Sequence, residues 1–520
     1  MQTGQSSASQ AMLQSEALAV LDKIAARTPD ARRIDTHANI IFLIGPDAYK
    51  MKRAVRFPFL DYSTLELRRS AVAAELSRNR LFAPDLYLGE ASITREADGS
   101  LGLNGHGTLV EPLVHMRRFD ETLTLDRLAD AGPLPLKLID ALAATLAAAH
   151  AVASRRDAGV WLADLAAYTA QNETAFRAAP HLFDTAQAEA LTAAAVGTLK
   201  RITPLVHWRG EQGLVRLVHG DAHLANVALI DGQPVLFDAV EFDEAIATGD
   251  VLYDLAFALM DLVERGQTGP ACHLLNRYLD QSALPHGEEG LAALPFYLSM
   301  RAAIRAKIAS ASVGMQQEAA TARVQQLAAR DYFDLAQRAL EPAIPWLIAV
   351  GGLSGSGKST LAHALAPDLK PLPGARVLRS DVERKRGLGL RETEPAPTAA
   401  YTQAASDAVY AALLEKARAA LAAGHSVILD AVYAKPEERA AVAALAQAME
   451  LPFKGLWLEA DAAVLKARVT ARKGDASDAT AEIVTRQLSY DLGRMDWTVL
   501  PGGADRETAL AAARAALQLP

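Results

Sequence analysis

The chain has 520 residues, of which 51% are hydrophobic, and a formal net charge of −8. That length predicts two to four domains with ample packed core, and the apolar residues never run long enough to span a bilayer. The acidic balance argues against an extended nucleic-acid surface, the single Cys272 rules out an internal disulfide framework and thiolate-built metal sites, and the polar start at residues 1–10 carries no secretory pattern, so the expected setting is cytoplasmic, without a membrane.

Residues 1–30 read as an N-terminal tail and a first helix. Asn39–Ile44 is a strand, Gly45-Pro46-Asp47 a turn, and Ala48–Val55 the next strand. Residues 64–80 are helical, with Leu65, Val72 and Leu76 on the buried side. Residues 108–116 form a strand that leads into a hinge. The expected layout is a small β-rich lobe over 31–118 and a helical lobe over 119–340, the latter interrupted near 214–242 by short strands and turns.

Residues 341–346, which include Pro342 and Pro345, read as a linker, and 347–520 as a separate domain. It opens with the apolar strand Trp346–Val350, a glycine-rich loop and a helix from Lys358. Further strands at 375–379, 426–430 and 454–458 alternate with helices, the pattern of a mostly parallel α/β sheet.

The loop Gly352-Leu353-Ser354-Gly355-Ser356-Gly357-Lys358-Ser359-Thr360 matches the phosphate-binding pattern in full. Its glycines let backbone N–H groups converge on phosphate, and Lys358 adds charge at the outer phosphates. Ser359 offers a hydroxyl to Mg²⁺, and the helix start adds its positive dipole end. Two later strands end in carboxylates. Asp381 follows Val377-Leu378-Arg379-Ser380 and either orients an acceptor hydroxyl or caps the helix beyond it. Asp430 ends Ser426–Leu429 and either supports Mg²⁺ or contacts substrate. Arg468 and Arg472, four residues apart, read as lid arginines that neutralise charge, or as surface residues. Arg379, Arg384, Lys385 and Arg386 make a local basic cluster that is either anion-binding or solvated.

A second constellation precedes it. In His219-Gly220-Asp221-Ala222-His223-Leu224-Ala225-Asn226, Asp221 and Asn226 have the catalytic-loop spacing of protein kinases. Asp238, after a short strand, stands where a second metal-binding carboxylate belongs. The small lobe should supply a lysine for the nucleotide phosphates. Lys50 and Lys52 share one strand face, with Lys50 preferred, and Glu75 is the expected partner. No G-x-G-x-x-G precedes residue 50.

On the loop 352–359, the Ser380-Asp381 strand end and the lid arginines, residues 346–500 resemble P-loop kinases related to gluconate kinases, polynucleotide 5′-kinases and zeta-toxin-like kinases. The resemblance implies that Asp381 acts on the acceptor hydroxyl. On the His219–Asn226 loop and Asp238, residues 35–310 resemble the aminoglycoside phosphotransferase and choline kinase group. That resemblance implies Asp221 as the catalytic residue, Asn226 and Asp238 as Mg²⁺ ligands, and His219 as a brace. It also leaves Asp250 and Asp254 structural, with Asp250 as anchor of the catalytic loop.

The expected fold is thus an α+β bilobal kinase-like domain followed by an α/β P-loop domain. The expected function is a bifunctional ATP- and Mg²⁺-dependent phosphotransferase acting on small-molecule hydroxyls. A 5′-hydroxyl nucleic-acid end stays open as an acceptor. The alternative is one catalytic module regulated by a second, nucleotide-sensing one. Either acceptor, and the oligomeric state, lie beyond the sequence.

Overall fold

The computed structural model describes residues 7–57, 60–314, 319–471 and 475–519. The chain gathers into two compact units. The first comprises 1–134, 148–161 and 213–258, and the second comprises 135–147, 162–212 and 259–520.

The first unit is built on a six-stranded antiparallel sheet. Its order is Arg32–Asp35, Asn39–Ile44, Asp47–Lys52, Thr108–Arg117, Tyr87–Arg95 and Leu101–Leu103. Period-two alternation gives the sheet two different faces. Ile40, Phe42, Tyr49, Met51 and Leu113 pack with Ala17 and Leu21 of the helix Ser7–Ala25. Val114 packs on the other face with Val72 and Leu76 of the helix Leu65–Asn79. The expected strand Ala48–Val55 is corrected to Asp47–Lys52, because the chain turns as Arg53 N–H bonds Ala38 O and Val55 N–H bonds Arg53 O. The strand Tyr87–Arg95 went unread in the sequence. Gly89 and Glu90 break its apolar alternation, and its register shifts at two points. In the strand that leads to the expected hinge, Leu113 faces the first helix, whereas Val114 and Met116 pack on the opposite side with Phe237.

The second unit holds a five-stranded parallel sheet, ordered Arg376–Arg379, Val427–Asp430, Leu347–Gly351, Phe453–Glu459 and Thr498–Pro501. The central strand is buried along its length, as expected when helices cover both faces. The last strand was not read from the sequence. Within this unit the helix Thr268–Gln281 joins the sheet. Its Cys272 lies in the same apolar cluster as Ile348, Val350, Leu361 and Val377. Asn276 treats the edge strand as a neighbouring strand would: its amide donates to Ala375 O at 3.0 Å, and its Oδ1 accepts from Val377 N–H at 2.7 Å. Arg376, fully buried, pairs with Asp280 at 2.7 Å and Glu288 at 3.2 Å. A sheet edge that would otherwise expose unpaired backbone groups is closed this way. Among the described residues no helix is long and apolar enough to cross a membrane.

Candidate active sites

In the first unit, the loop 219–226 runs from the strand Val215–Leu217 into the hairpin Val227–Ile230/Gln233–Leu236. The hairpin register returns the chain to its start, and Phe237 N–H bonds Asn226 O at 3.0 Å, so Asn226 and Asp238 are brought close. Asn226 donates to Asp221 Oδ2 at 2.9 Å. Asp238 has φ +60°, a left-handed conformation that aspartate tolerates better than most residues and that turns its carboxylate out of the strand path.

His219 is fully buried, and burial lowers its pKa and keeps the imidazole neutral. Its Nε2 donates to Phe237 O at 3.0 Å, bracing the catalytic loop against the strand that leads to Asp238. The expected anchor Asp250 is corrected to Asp254. Asp254 Oδ1 accepts the Gly220 N–H at 2.9 Å, and His150 Nε2 donates to its Oδ2 at 3.0 Å. Asp250 instead accepts from Leu252 N–H at the start of its own helix. Helical spacing put both aspartates near the loop, and only packing chose between them.

Lys50 and Lys52 both point to the face that carries Glu75. Lys50 Nζ lies 2.9 Å from Glu75 Oε1 and 2.7 Å from Asp238 Oδ1. Lys52 Nζ lies 2.5 Å from Glu75 Oε2 and 2.7 Å from Glu241 Oε1. Burial works against the charge on Lys50, yet Asp238 and Glu75 hold its pKa above the ordinary lysine range. Burial likewise opposes ionised Glu75, and the two ammonium groups hold its carboxyl well below the usual carboxylate range. Lys50 alone of the two reaches Asp238. Glu241 was missed in the sequence, where one more acid after Asp238 carried no distinguishing signal.

In the second unit, parallel register levels the ends of three strands: Val350 pairs with Asp430, and Arg379 with Asp430. The glycine loop, Asp381 and Asp430 therefore meet at the carboxyl edge of the sheet, where α/β folds bind ligands. They line a cavity of about 480 Å³ with Ser354, Gly355, Gly357, Lys358, Ser359 and Thr360. Ser359 Oγ donates to Asp430 Oδ2 at 2.5 Å. Gly355 has φ +87°, and a Cβ there would stand 2.6 Å from Leu465 O. Gly352 has φ +141°, and its Cβ would meet Leu458 O at 2.6 Å. Ser356 Oγ is buried without a hydrogen-bond partner among the described residues. A backbone cradle too tight for side chains and an unspent buried hydroxyl fit a phosphate guest.

Asp381 is half-buried in the cavity wall, and desolvation raises its pKa above the ordinary value; Arg379 opposes the shift and Asp430 adds to it. The basic cluster is mostly spent on internal pairs. Arg379 pairs with Asp430 and Asp475, Lys385 with Asp478, and Arg386 with Glu383. Arg384 stacks on the Tyr401 ring at 4.8 Å and lines the cavity. Arg468 does not line it. Its guanidinium donates to the carbonyls of Gly355, Gly502, Gly503 and Ala504, tying the glycine loop to the segment after the last strand. Arg472 lies outside the described residues. Arg486, Tyr410 and Glu438 also line the cavity, and no motif in the sequence marked them.

Both sites offer oxygen and amide donors suited to a hard divalent cation. Among the described residues no three histidine, cysteine or acidic side chains form a ready cage.

The chain matches the phosphotransferase enzyme family over residues 54–294 and the AAA domain family over residues 347–491. An uncharacterized protein of Mycobacterium tuberculosis is 32% identical over 486 residues, covering 88% of this chain and 90% of that protein. A sugar kinase from Janibacter sp. is 23% identical, over 34% of this chain and 96% of its own, with a TM-score of 0.27. A choline/ethanolamine kinase family protein from Mesorhizobium loti is 12% identical, over 63% of this chain and 99% of its own, with a TM-score of 0.34.

Proposed function

Because the chain belongs to the family of that mycobacterial protein, and joins a phosphotransferase domain to an AAA-type P-loop domain, we propose that its two kinase-like domains are both catalytic. Each transfers the terminal phosphate of ATP, with Mg²⁺, to a hydroxyl of a small molecule. The cytoplasm, with its ATP and reducing conditions, is the fitting setting for these sites and a lone buried thiol.

At the phosphotransferase site, Asp221 orients the acceptor hydroxyl and takes up its proton, while Lys50 holds the nucleotide phosphates. Asn226 and Asp238 would hold the cation. At the P-loop site, the backbone of 352–357 and Lys358 cradle the phosphates, with Thr360 at the helix start beside them. Ser359 would hold the cation, and Asp430 supports it through the Ser359 hydroxyl. Asp381 receives the acceptor proton. Arg468 holds the glycine loop in shape, and Arg384, which faces the cavity, takes the charge-neutralising part read for the lid arginines. The cation, when bound, supplies charge neutralisation on the phosphates.

The observation that carries this reading is that each domain gathers carboxylates with groups suited to phosphate: Asp221 with Asn226 and Asp238 with Lys50 in one, and Asp381 and Asp430 around the glycine-loop cavity in the other. The test is acceptor-dependent ADP release with Mg-ATP over sugars, amino alcohols, aminoglycosides, nucleosides and 5′-hydroxyl oligonucleotides. Asp221→Ala and Lys358→Ala should each remove a different acceptor. Loss of one and the same activity in both variants would replace this reading with one catalytic and one regulatory module.

A further inference from the structure

Protein-kinase-like sites need one lysine against one glutamate, and this chain buries two. Lys50 and Lys52 each take one oxygen of Glu75, and Glu75 itself is fully buried. The lysines differ in what else they meet. Lys50 reaches Asp238, whose side chain is 48% exposed, so its far end faces the open part of the site. Lys52 has a side chain only 1% exposed; it reaches Glu241 and lies 5.1 Å from the centre of the Tyr62 ring. Glu241 sits three residues past Asp238. The segment between is pinned at two points, by Tyr87 Oη accepting from Asp238 N–H at 3.1 Å and Asn79 Oδ1 accepting from Ala239 N–H at 2.7 Å.

Nucleotide binding disturbs this arrangement on one side only. With nucleotide bound, Asp238 would hold the cation and Lys50 the phosphates, so the Lys50–Asp238 pair would open. Glu75, fully buried, would then share the Lys50 ammonium group with the phosphates. Resting on the reading that this site takes Mg-nucleotide, we infer that Lys52 and Glu241 are positioning residues. Lys52 holds Glu75 in place while Lys50 exchanges Asp238 for phosphate, and the Lys52–Glu241 pair fixes the segment that presents Asp238.

The charge environment agrees. Burial raises the Glu75 carboxyl, and only the two ammonium groups bring it down. The other titratable groups around it are Tyr87 and Tyr62, both raised by burial above the ordinary tyrosine value, with Asp238 and Glu241 beyond the lysines. With Lys52 removed, one ammonium group must offset the whole burial cost, and that ammonium group is the one nucleotide recruits.

The experiment uses the full chain carrying Lys358→Ala to silence the glycine loop. Binding of a non-hydrolysable ATP analogue is measured with and without Mg²⁺, from mildly acidic to neutral pH, with thermal unfolding in parallel. Lys50→Met should lose binding at every pH. Lys52→Met should approach the parent near neutral pH and weaken by about tenfold or more as pH falls, because burial is then opposed by one ammonium group and raises the Glu75 carboxyl into the acidic range tested. Lys52→Arg should restore a flat profile. Glu241→Gln should weaken binding in Mg²⁺ and leave metal-free binding unchanged. A Lys52→Met profile parallel to the parent makes Lys52 merely structural and overturns the inference, as does binding that survives Lys50→Met but not Lys52→Met. If the Lys358→Ala chain binds no analogue at all, the nucleotide reading of this site falls, and the inference with it.

Discussion

The two phosphate sites are prepared for charge by opposite means. The P-loop site is a contiguous backbone cradle whose glycines admit no Cβ and whose Ser356 hydroxyl has no partner among the described residues. The phosphotransferase site is assembled from distant segments, and its charges are already matched to one another, with Lys50 lodged between Glu75 and Asp238. A guest at the first site meets a loop whose shape is held by hydrogen bonds to uncharged acceptors, Ser354 N–H to Gln487 and Lys358 Nζ to Leu353 O among them. A guest at the second must first open an internal ion pair. Preorganisation through backbone shapes the binding groups mainly through contacts with uncharged groups. Preorganisation through side-chain charge keeps the free site neutralised, at a cost met on binding.

The comparison is broken most directly at the acceptor carboxylates. On the proposed assignment of Asp221 to the acceptor and not the nucleotide, Asp221→Ala should lower turnover at its site by about 10²- to 10⁴-fold while nucleotide affinity holds. Steady-state kinetics with a separate binding titration checks this. An equal fall in nucleotide affinity would mean that Asp221 belongs to the charge-matched set.

Next comes the scaffold of the P-loop site. Replacing both Asp280 and Glu288 by Ala strips buried Arg376 of its two paired carboxylates and should cost about 3–5 kcal/mol in chemical denaturation, the usual result of orphaning a buried charge. The edge strand that it loosens leads straight to Asp381, so P-loop turnover should fall with it. An unchanged denaturation midpoint would mean that the edge strand does not depend on the helix Thr268–Gln281.

A smaller effect separates the two aspartates behind the catalytic loop. Asp254→Asn should destabilise the chain by about 1–3 kcal/mol and slow the phosphotransferase site, since it weakens the buried link from His150 to Gly220 N–H. Asp250→Asn should slow phosphotransferase turnover less than Asp254→Asn does. The reverse ranking would restore Asp250 as the anchor.

The mildest prediction concerns pH. Asp381 has its carboxyl pKa raised by desolvation, so the folded state binds its proton more tightly than the unfolded chain does. The resulting penalty is fully present above the folded pKa and disappears as pH falls to the ordinary carboxylate range. Asp381→Asn should therefore unfold at higher temperature than the parent at neutral pH, with the gap closing on acidification. Since Asp381 must be ionised to accept a proton, P-loop turnover should fall on the acid side at a pH above the ordinary carboxylate range. A variant less stable than the parent at neutral pH would show that Asp381 is held by its partners and not strained by burial.

The legibility of each site follows its construction. The loop 352–360 and the loop 219–226 could be read directly because their chemistry is local: glycines permit close backbone approach, and fixed spacing sets neighbouring side chains on one short turn. The helix 65–79 and the alternation of Tyr49 to Lys52 were equally plain, so the face shared by Lys50, Lys52 and Glu75 could be anticipated. Which lysine reaches Asp238 could not. Periodicity assigns a face, and a partner depends on what another element brings to that face.

The sequence by itself thus determined two loop motifs and a kinase-like region followed by a parallel α/β region. Tertiary structure decided the rest. It spent Arg379, Lys385 and Arg386 on internal pairs, turned Arg468 to backbone carbonyls, and chose Asp254 over Asp250. It also set Cys272, from within the phosphotransferase match, into the core around the P-loop strand. The physical reason is that buried charge and edge backbone must find partners wherever packing supplies them. Apart from the Arg386–Glu383 pair within one helix, those partners lie tens of residues away, beyond the reach of local spacing.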